Sequence, residues 1–243
     1  MSELPFAGRT VAVTGASGSL GRALLLELHR QGAALVALTS SDAPLCLTSA
    51  DGQTVPLEQV RWHCGAEQDL QPVLERCDVL VINHGFNSHA DRSAEAVQRS
   101  LEVNALSSWR LLELFAGIAN AAPAHSVARE LWMNTSEAEI QAAVSPLYEI
   151  SKRLQGQLLS LRSLDLAGPQ LRLRRLVLGP FRSALNPIGV MSASFVAREI
   201  LRQVGWNWGL VIVTPNPLTY LLMPLASFSR WLYFKATSQS STG

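Results

Sequence analysis

Thr14-Gly15-Ala16-Ser17-Gly18-Ser19-Leu20-Gly21 lies between the apolar run Thr10-Val11-Ala12-Val13 and the helical pattern Ala23-Leu24-Leu25-Leu26-Glu27-Leu28. A β-branched run, a glycine-rich turn and an amphipathic helix, in that order, aim backbone N–H groups and a helix N-terminus at a diphosphate. Gly15 allows the tight turn, Gly18 lets backbone approach a phosphate, and Gly21 lets the helix lie close on the strand. With a strand before it and a helix after it, the turn reads as a dinucleotide site. Ser17, Ser19 and Leu20 complete the set of expected cofactor contacts in this stretch.

Outward from the turn, Gly32 closes the helix, and Ala33-Ala34-Leu35-Val36-Ala37-Leu38 reads as a buried parallel strand. An acidic residue at the end of such a strand would bond the adenosine ribose and repel a 2′-phosphate. Thr39-Ser40-Ser41 offers hydroxyls and no carboxylate there, so Thr39 and Ser40 are expected contacts and NADP(H) is preferred over NAD(H). Asp42 is close, and no arginine stands beside Thr39 in the sequence. A plain polar turn would suit either cofactor.

Further strands are expected at 60–64, 77–82, 131–136, 171–178 and 210–213, and helices at 69–75, 93–119, 147–164 and 196–204. Asn83-His84-Gly85 and Gly179-Pro180 end two of the strands with turn chemistry. Alternation of this kind means an α/β protein: one doubly wound parallel sheet, the Rossmann fold, with helices on both faces. Residues 1–216 are expected to hold cofactor site, catalytic site and lid, with 217–243 forming an apolar helix and a flexible tail.

Bulk composition narrows the function. The 243 residues are 48% hydrophobic and carry 20 basic against 19 acidic side chains, so no broad basic surface for nucleic acid is implied. Cys46, Cys64 and Cys77 include no CxxC pair, which argues against a zinc site or a disulfide framework and for a reducing, cytoplasmic setting. No metal is expected. Met1 to Gly8 has no basic segment followed by an apolar one, so a cleaved export signal is not expected.

Tyr148 and Lys152 are four apart in a helical pattern and share a face. An ammonium beside a phenol lowers its pKa from about 10 toward the range useful for proton transfer. The hydroxyls of Thr135 and Ser136 arrive at a strand end, where open α/β sheets bind ligands.

With these elements in order, the chain resembles a short-chain dehydrogenase/reductase over nearly its full length. Residues 14–21 resemble that family's cofactor turn, and Asn83-His84-Gly85 resembles its Asn-Asn-Ala-Gly segment. Val103-Asn104, Asn134-Thr135-Ser136 and Tyr148-Glu149-Ile150-Ser151-Lys152 resemble its helix asparagine, its serine and its Tyr-x-x-Ser-Lys element. The resemblance implies that Tyr148 exchanges a proton with the substrate oxygen and that Lys152 holds the nicotinamide ribose and lowers the tyrosine pKa. It implies that Ser136 bonds the substrate oxygen, that Asn104 positions a water linking Lys152 to solvent, and that Gly179 and Ser183 approach the nicotinamide.

Several positions depart from the common pattern. Glycines at 15, 18 and 21 have the spacing of the extended and atypical branches. Gly65 stands where many members place an adenine-contacting aspartate, which leaves adenine to backbone or to Glu67 and Asp69. His84 replaces a small alanine and Leu178 a proline. The gap from Ser136 to Tyr148 is one residue short, so Thr135 is an alternative to Ser136.

Residues 186–193 are expected to form a loop and short helix serving as a substrate lid. Residues 218–234 are apolar and aromatic, but short and proline-interrupted for a membrane span of about 20 residues. Three readings stand for them: a helix docked on the domain or on a second subunit of a homodimer or homotetramer, a peripheral membrane contact with Arg230 and Lys235 at the headgroups, or a wall of an apolar pocket. The expected function is NADP(H)-dependent reduction of a carbonyl, or oxidation of the alcohol, on a small apolar substrate. A non-catalytic cofactor sensor is the alternative. Epimerisation or dehydration, as in extended members, is disfavoured by the short segment after the sixth strand.

Overall fold

The computed structural model describes residues 4–121 and 128–239. The first three residues and the end of the expected flexible tail, from 240 on, lie outside the described residues. Seven strands form one sheet: β1 (Thr10–Thr14), β2 (Ala34–Thr39), β3 (Glu58–Arg61), β4 (Val79–Ile82), β5 (Arg129–Ser136), β6 (Leu171–Leu178) and β7 (Leu210–Val213). Their order is β3-β2-β1-β4-β5-β6-β7, with every pairing parallel. Because helices cover both faces, the inner strands carry apolar residues on both; β4, Val-Leu-Val-Ile, is wholly buried. On one face α1 (Ser19–Arg30) and α6 (Ala193–Gly205) pack Leu24, Leu28, Val196 and Ile200 against Val11 and Val13. On the other, α2 (Gln71–Leu74), α4 (Ser107–Ala121) and α5 (Pro146–Leu166) pack Leu74, Leu111, Phe115 and Leu159 against Ala12 and Leu80. Strand order reverses between β1 and β4, the place beyond the strand ends where open α/β sheets bind ligands.

Local differences from the sequence reading have physical causes. The third strand stops at Arg61; the Trp62 N–H still donates to the Thr39 carbonyl at 3.0 Å, while its side chain is buried in the core. The helix expected over 69–75 is a 3₁₀ turn, Glu67–Leu70, followed by the four residues of α2. The single helix expected over 93–119 is α3 (Ala94–Leu101), a π-helical turn (Glu102–Leu106) and then α4. The wider turn rotates Asn104 into the interior, which regular helical periodicity does not reveal. No short helix forms within the expected lid. Residues 181–191 are a loop bridged to itself, and α6 begins at Ala193, capped by Ser192 accepting the Phe195 N–H.

The apolar tail is α7 (Pro217–Thr237), started by Asn216 accepting the Leu218 N–H and lying against α5 and β7. Among the described residues no helix is long and apolar enough to cross a membrane. Arg230 does not point outward as expected. Its guanidinium donates to Glu139 Oε2 at 2.6 Å and to the Glu139 carbonyl at 3.3 Å. Glu139 is buried, also receives Arg175 at 3.3 Å, and occupies the space left by Gly156, where a Cβ would overlap its carboxylate. Removing the carboxylate strands two arginines, so Glu139→Ala is expected to lower unfolding free energy by about 3–5 kcal/mol. Urea denaturation checks this, and a loss no larger than that of an exposed ion pair would contradict it.

Candidate functional site

The glycine turn builds an anion cradle. Gly15 has φ +61°, and a Cβ on it would stand 2.9 Å from His84 Cα. A Cβ on Gly21 would collide with the Gly15 carbonyl, so Gly21 seats α1 on the turn itself rather than on the strand as expected. Gly18 begins α1 with no side-chain cap, and the first turn, Ser19-Leu20-Gly21, holds no acidic residue. An uncapped N-terminus with bare backbone fits the diphosphate of a dinucleotide. Thr39 Oγ1 donates to Ser17 Oγ at 3.0 Å and accepts the Ser41 N–H at 3.1 Å, while Ser40 is exposed.

Pairing of β2 with β3 sets Arg61 opposite Thr39, and its guanidinium meets Asp42 at 2.7 Å in the open. An arginine therefore does adjoin Thr39, from 22 positions away. Glu67 is not free for adenine. It is buried and accepts from Ser107 at 2.6 Å, Arg110 at 2.7 Å and the Gly65 N–H at 2.9 Å. Burial raises its pKa, but the Arg110 and Ser107 hydrogen bonds outweigh that and hold it below the usual range. Asp69 is exposed.

Beyond β4 the Thr14 hydroxyl accepts the N–H groups of Asn83 at 2.8 Å and His84 at 3.2 Å, and lies 2.9 Å from His84 Nδ1. Asn83 donates to the Thr14 carbonyl at 3.3 Å and accepts from Asn134 Nδ2 at 2.9 Å. His84 stands edge-on to Trp62, and burial together with the Lys152 charge drives its pKa down to about 4. Gly85 leaves room for Asn104, whose Oδ1 would be 3.4 Å from a Cβ there. Asn104 accepts the Phe86 N–H and donates to the Phe86 carbonyl and to Ser151 Oγ, each at 2.8 Å. Both amide hydrogens are thus committed, and the side chain reaches Ser151 rather than the Lys152 ammonium.

Tyr148 and Lys152 share a face of α5, with Nζ 5.7 Å from the tyrosine ring centroid. Nζ donates to the Asn134 carbonyl at 3.3 Å and to Gln155 Oε1 at 3.0 Å. Burial lowers the Lys152 pKa to about 8, against the pull of the Glu139 charge. Tyr148 contradicts the expected activation. Burial raises its pKa, Glu137 adds to the rise, and only the hydrogen bond with Ser136 pulls it down. The ammonium, 5.7 Å from the ring centroid, does not offset the desolvation. Ser136 is the hydroxyl brought to Tyr148, since Thr135 Oγ1 is turned into the sheet and donates to the Leu176 carbonyl at 3.3 Å. Gly179 passes so close to Thr214 that a Cβ would overlap the threonine side chain. Ser183 is engaged in a tight turn with Asn186 and makes no bond to Ser136, Tyr148 or Lys152 among the described residues.

Sequence reasoning passed over four residues. Gln155, three positions after Lys152, was legible from helical spacing. Asn134 and Glu137 flank the hydroxyl pair, and Glu137 Oε2 accepts from Thr214 at 2.6 Å and Thr219 at 3.1 Å. Arg61 carried no local signal.

The model of the NAD dependent epimerase/dehydratase family matches residues 11–146. A monoglucosyldiacylglycerol epimerase from Synechocystis sp. is 44% identical over 240 residues, covering 99% of this chain and 57% of that protein. The chain thus spans a little over half that relative's length. An alcohol dehydrogenase specific for bulky-bulky ketones from Comamonas testosteroni superposes with a TM-score of 0.75 at 16% identity, over 97% of this chain and 96% of that one. A short chain dehydrogenase from Burkholderia cenocepacia in complex with NADP gives 0.72 at 17%, over 96% and 99%. The aldohexose dehydrogenase of Thermoplasma acidophilum gives 0.70 at 16%, over 88% and 95%. At such identities the three solved structures speak for the fold alone.

The lowered Lys152 pKa has a consequence for stability. The folded state holds this proton less tightly than the unfolded chain, so its penalty is complete below about pH 8 and is relieved as pH climbs toward 10.5. Lys152→Met is expected to be more stable than wild type by up to roughly 3 kcal/mol near neutrality, with the advantage shrinking across that window. Thermal unfolding at stepped pH measures it, and a pH-independent difference would show the ammonium to be solvated.

Proposed function

This chain belongs to the NAD dependent epimerase/dehydratase family, an extended branch of the short-chain dehydrogenases/reductases, and on that footing we propose that it is an NADP(H)-dependent oxidoreductase. Its substrate is a secondary alcohol, or the corresponding ketone, on an apolar carrier. The observation that carries this reading is that Ser136 and Lys152 flank Tyr148 and are linked to the glycine turn by hydrogen bonds running from Lys152 through Asn134 and Asn83 to Thr14. Gly15, Ser17, Gly18, Ser19, Leu20 and Gly21 hold the diphosphate, Asn83, His84 and Gly85 border the nicotinamide half, and Gly179 and Ser183 close its far side. A bound nicotinamide supplies or accepts the hydride. Tyr148, kept protonated near neutrality by burial, donates its proton to the carbonyl oxygen in reduction and recovers it in oxidation. Ser136 hydrogen-bonds the same oxygen, and Lys152 holds the ribose.

The 44% identity to a monoglucosyldiacylglycerol epimerase favours one particular use of this chemistry. On a sugar hydroxyl the reaction starts from the Tyr148 phenolate, its own proton first given up to solvent, which takes the O–H proton as hydride leaves the carbon. After the ketone presents its other face, proton and hydride return, so the centre inverts with no net oxidation. Three free cysteines suit a reducing, cytoplasmic setting.

The test pairs wild type with Tyr148→Phe on glucosyl diacylglycerol and on long-chain and cyclic ketones with NADPH. Tyr148→Phe is expected to bind cofactor normally and to lose about 10²–10⁴ in turnover. Cofactor binding without turnover by wild type on any of them would put the sensor reading ahead. For the cofactor, Thr39, Ser40 and Arg61 support the 2′-phosphate. Arg61→Ala is expected to weaken NADP⁺ binding about tenfold or more and leave NAD⁺ unchanged in a fluorescence titration, as loss of a charge-assisted hydrogen bond implies. Equal losses for both cofactors would remove Arg61 from that role.

A further inference from the structure

A helix on a globular domain ordinarily turns its apolar stripe inward and its polar side chains to water. In α7 most of the apolar residues face out. Met223 is its buried apolar anchor, packed on Val177 and Ile212, and its other fastenings to the domain are polar: Thr219 bonds Gln141 at 2.6 Å and Glu137 at 3.1 Å, Arg230 bonds Glu139, and Ser227 lies 3.5 Å from Arg175. Only Thr219 and Met223 are buried. Leu218, Leu221, Leu225, Phe228, Leu232 and Tyr233 are each more than half exposed. The helix contains no aspartate or glutamate, and near its end the Lys235 ammonium rests 4.8 Å from the Trp231 ring centroid.

The helix begins beside the site. The first turn of α7 grips Glu137, next to Ser136, and Gln141. The loop from Gln141 to Ser145, just before α5, carries Val144, which is 100% exposed. On the loop after β6, tied to the far wall by Asn87 donating to the Leu185 carbonyl at 3.2 Å, Ile188 is 84% and Val190 69% exposed. A second copy seated here would lie across the opening. A bilayer would instead bring substrate to it.

We propose that the outer face of α7, with Val144, Ile188 and Val190, rests on a lipid bilayer so that the mouth of the site meets the headgroups. The absence of acidic side chains, the Trp231 and Tyr233 rings with polar tips, and a lysine at the helix end suit an anionic interface. The helix lies on the membrane and does not cross it. Only the idea that the mouth collects its substrate there rests on the proposed lipid-borne substrate. Membrane binding is read without cofactor or turnover, so either proposal can fail alone.

The experiment is flotation of the full chain with phosphatidylcholine–phosphatidylglycerol vesicles, alongside the triple variant Leu221→Ser, Leu225→Ser, Phe228→Ser. Wild type is expected to float and the variant to lose about tenfold or more in partitioning while titrating cofactor as wild type does. Quenching of tryptophan fluorescence by brominated phosphatidylcholine, reduced in Trp231→Phe, reads the same contact should the triple variant not fold. Wild type left in the aqueous fraction overturns the proposal, as does equal flotation of wild type and a folded triple variant. If light scattering shows a wild-type dimer that the triple substitution dissociates, and wild type does not float, the face belongs to a second copy.

Discussion

Two positions where no Cβ fits, Gly15 and Gly21, govern how the site is put together. The left-handed backbone of Gly15 lets the end of β1 pass against His84, and the bare Gly21 lets α1 settle on the Gly15 carbonyl. The first strand, the first helix and the peptide after β4 therefore converge where the strand order reverses. From that point a line of hydrogen bonds runs across the sheet. The Thr14 carbonyl accepts from Asn83, Asn83 accepts from Asn134, and the Asn134 carbonyl accepts from Lys152. Cofactor cradle and reactive side chains are thus held in one frame, although the whole run from α1 to β5 separates them in the chain.

Buried charge is the second organising constraint. Lys152 sits in a desolvated place that depresses its pKa to about 8, and the Glu139 charge resists that depression. The same carboxylate gathers Arg175 and Arg230, so one acidic side chain both offsets the lysine and fastens α7 to the domain. The tail is therefore coupled electrostatically to the reactive helix. The inner face of α7 is taken by Met223, packed on Val177 and Ile212, and by these polar anchors, and most of its remaining apolar residues are left outside.

Much of this was legible as local pattern. Strand and helix alternation, the cradle at 14–21 and the common face of Tyr148 and Lys152 follow from periodicities of a few residues, so they survive without knowledge of neighbours. The π-helical turn at Asn104 was not legible, because one extra residue in a turn leaves the composition of the helix unchanged. The activation of Tyr148 was misjudged for a related reason. Helical spacing places a lysine on the right face, but whether ammonium or desolvation dominates depends on what covers the phenol.

The sequence by itself determined the doubly wound parallel sheet, the dinucleotide cradle and the set of side chains from which a site is drawn, since each is encoded by residues adjacent or one turn apart. Tertiary structure alone decided that Arg61 stands beside Thr39, that Glu67 is consumed by Ser107 and Arg110, and that α7 faces outward with its apolar side. Those outcomes depend on strand register and on which buried charges find each other across long sequence separations. Packing settles such pairings, and no local periodicity carries them.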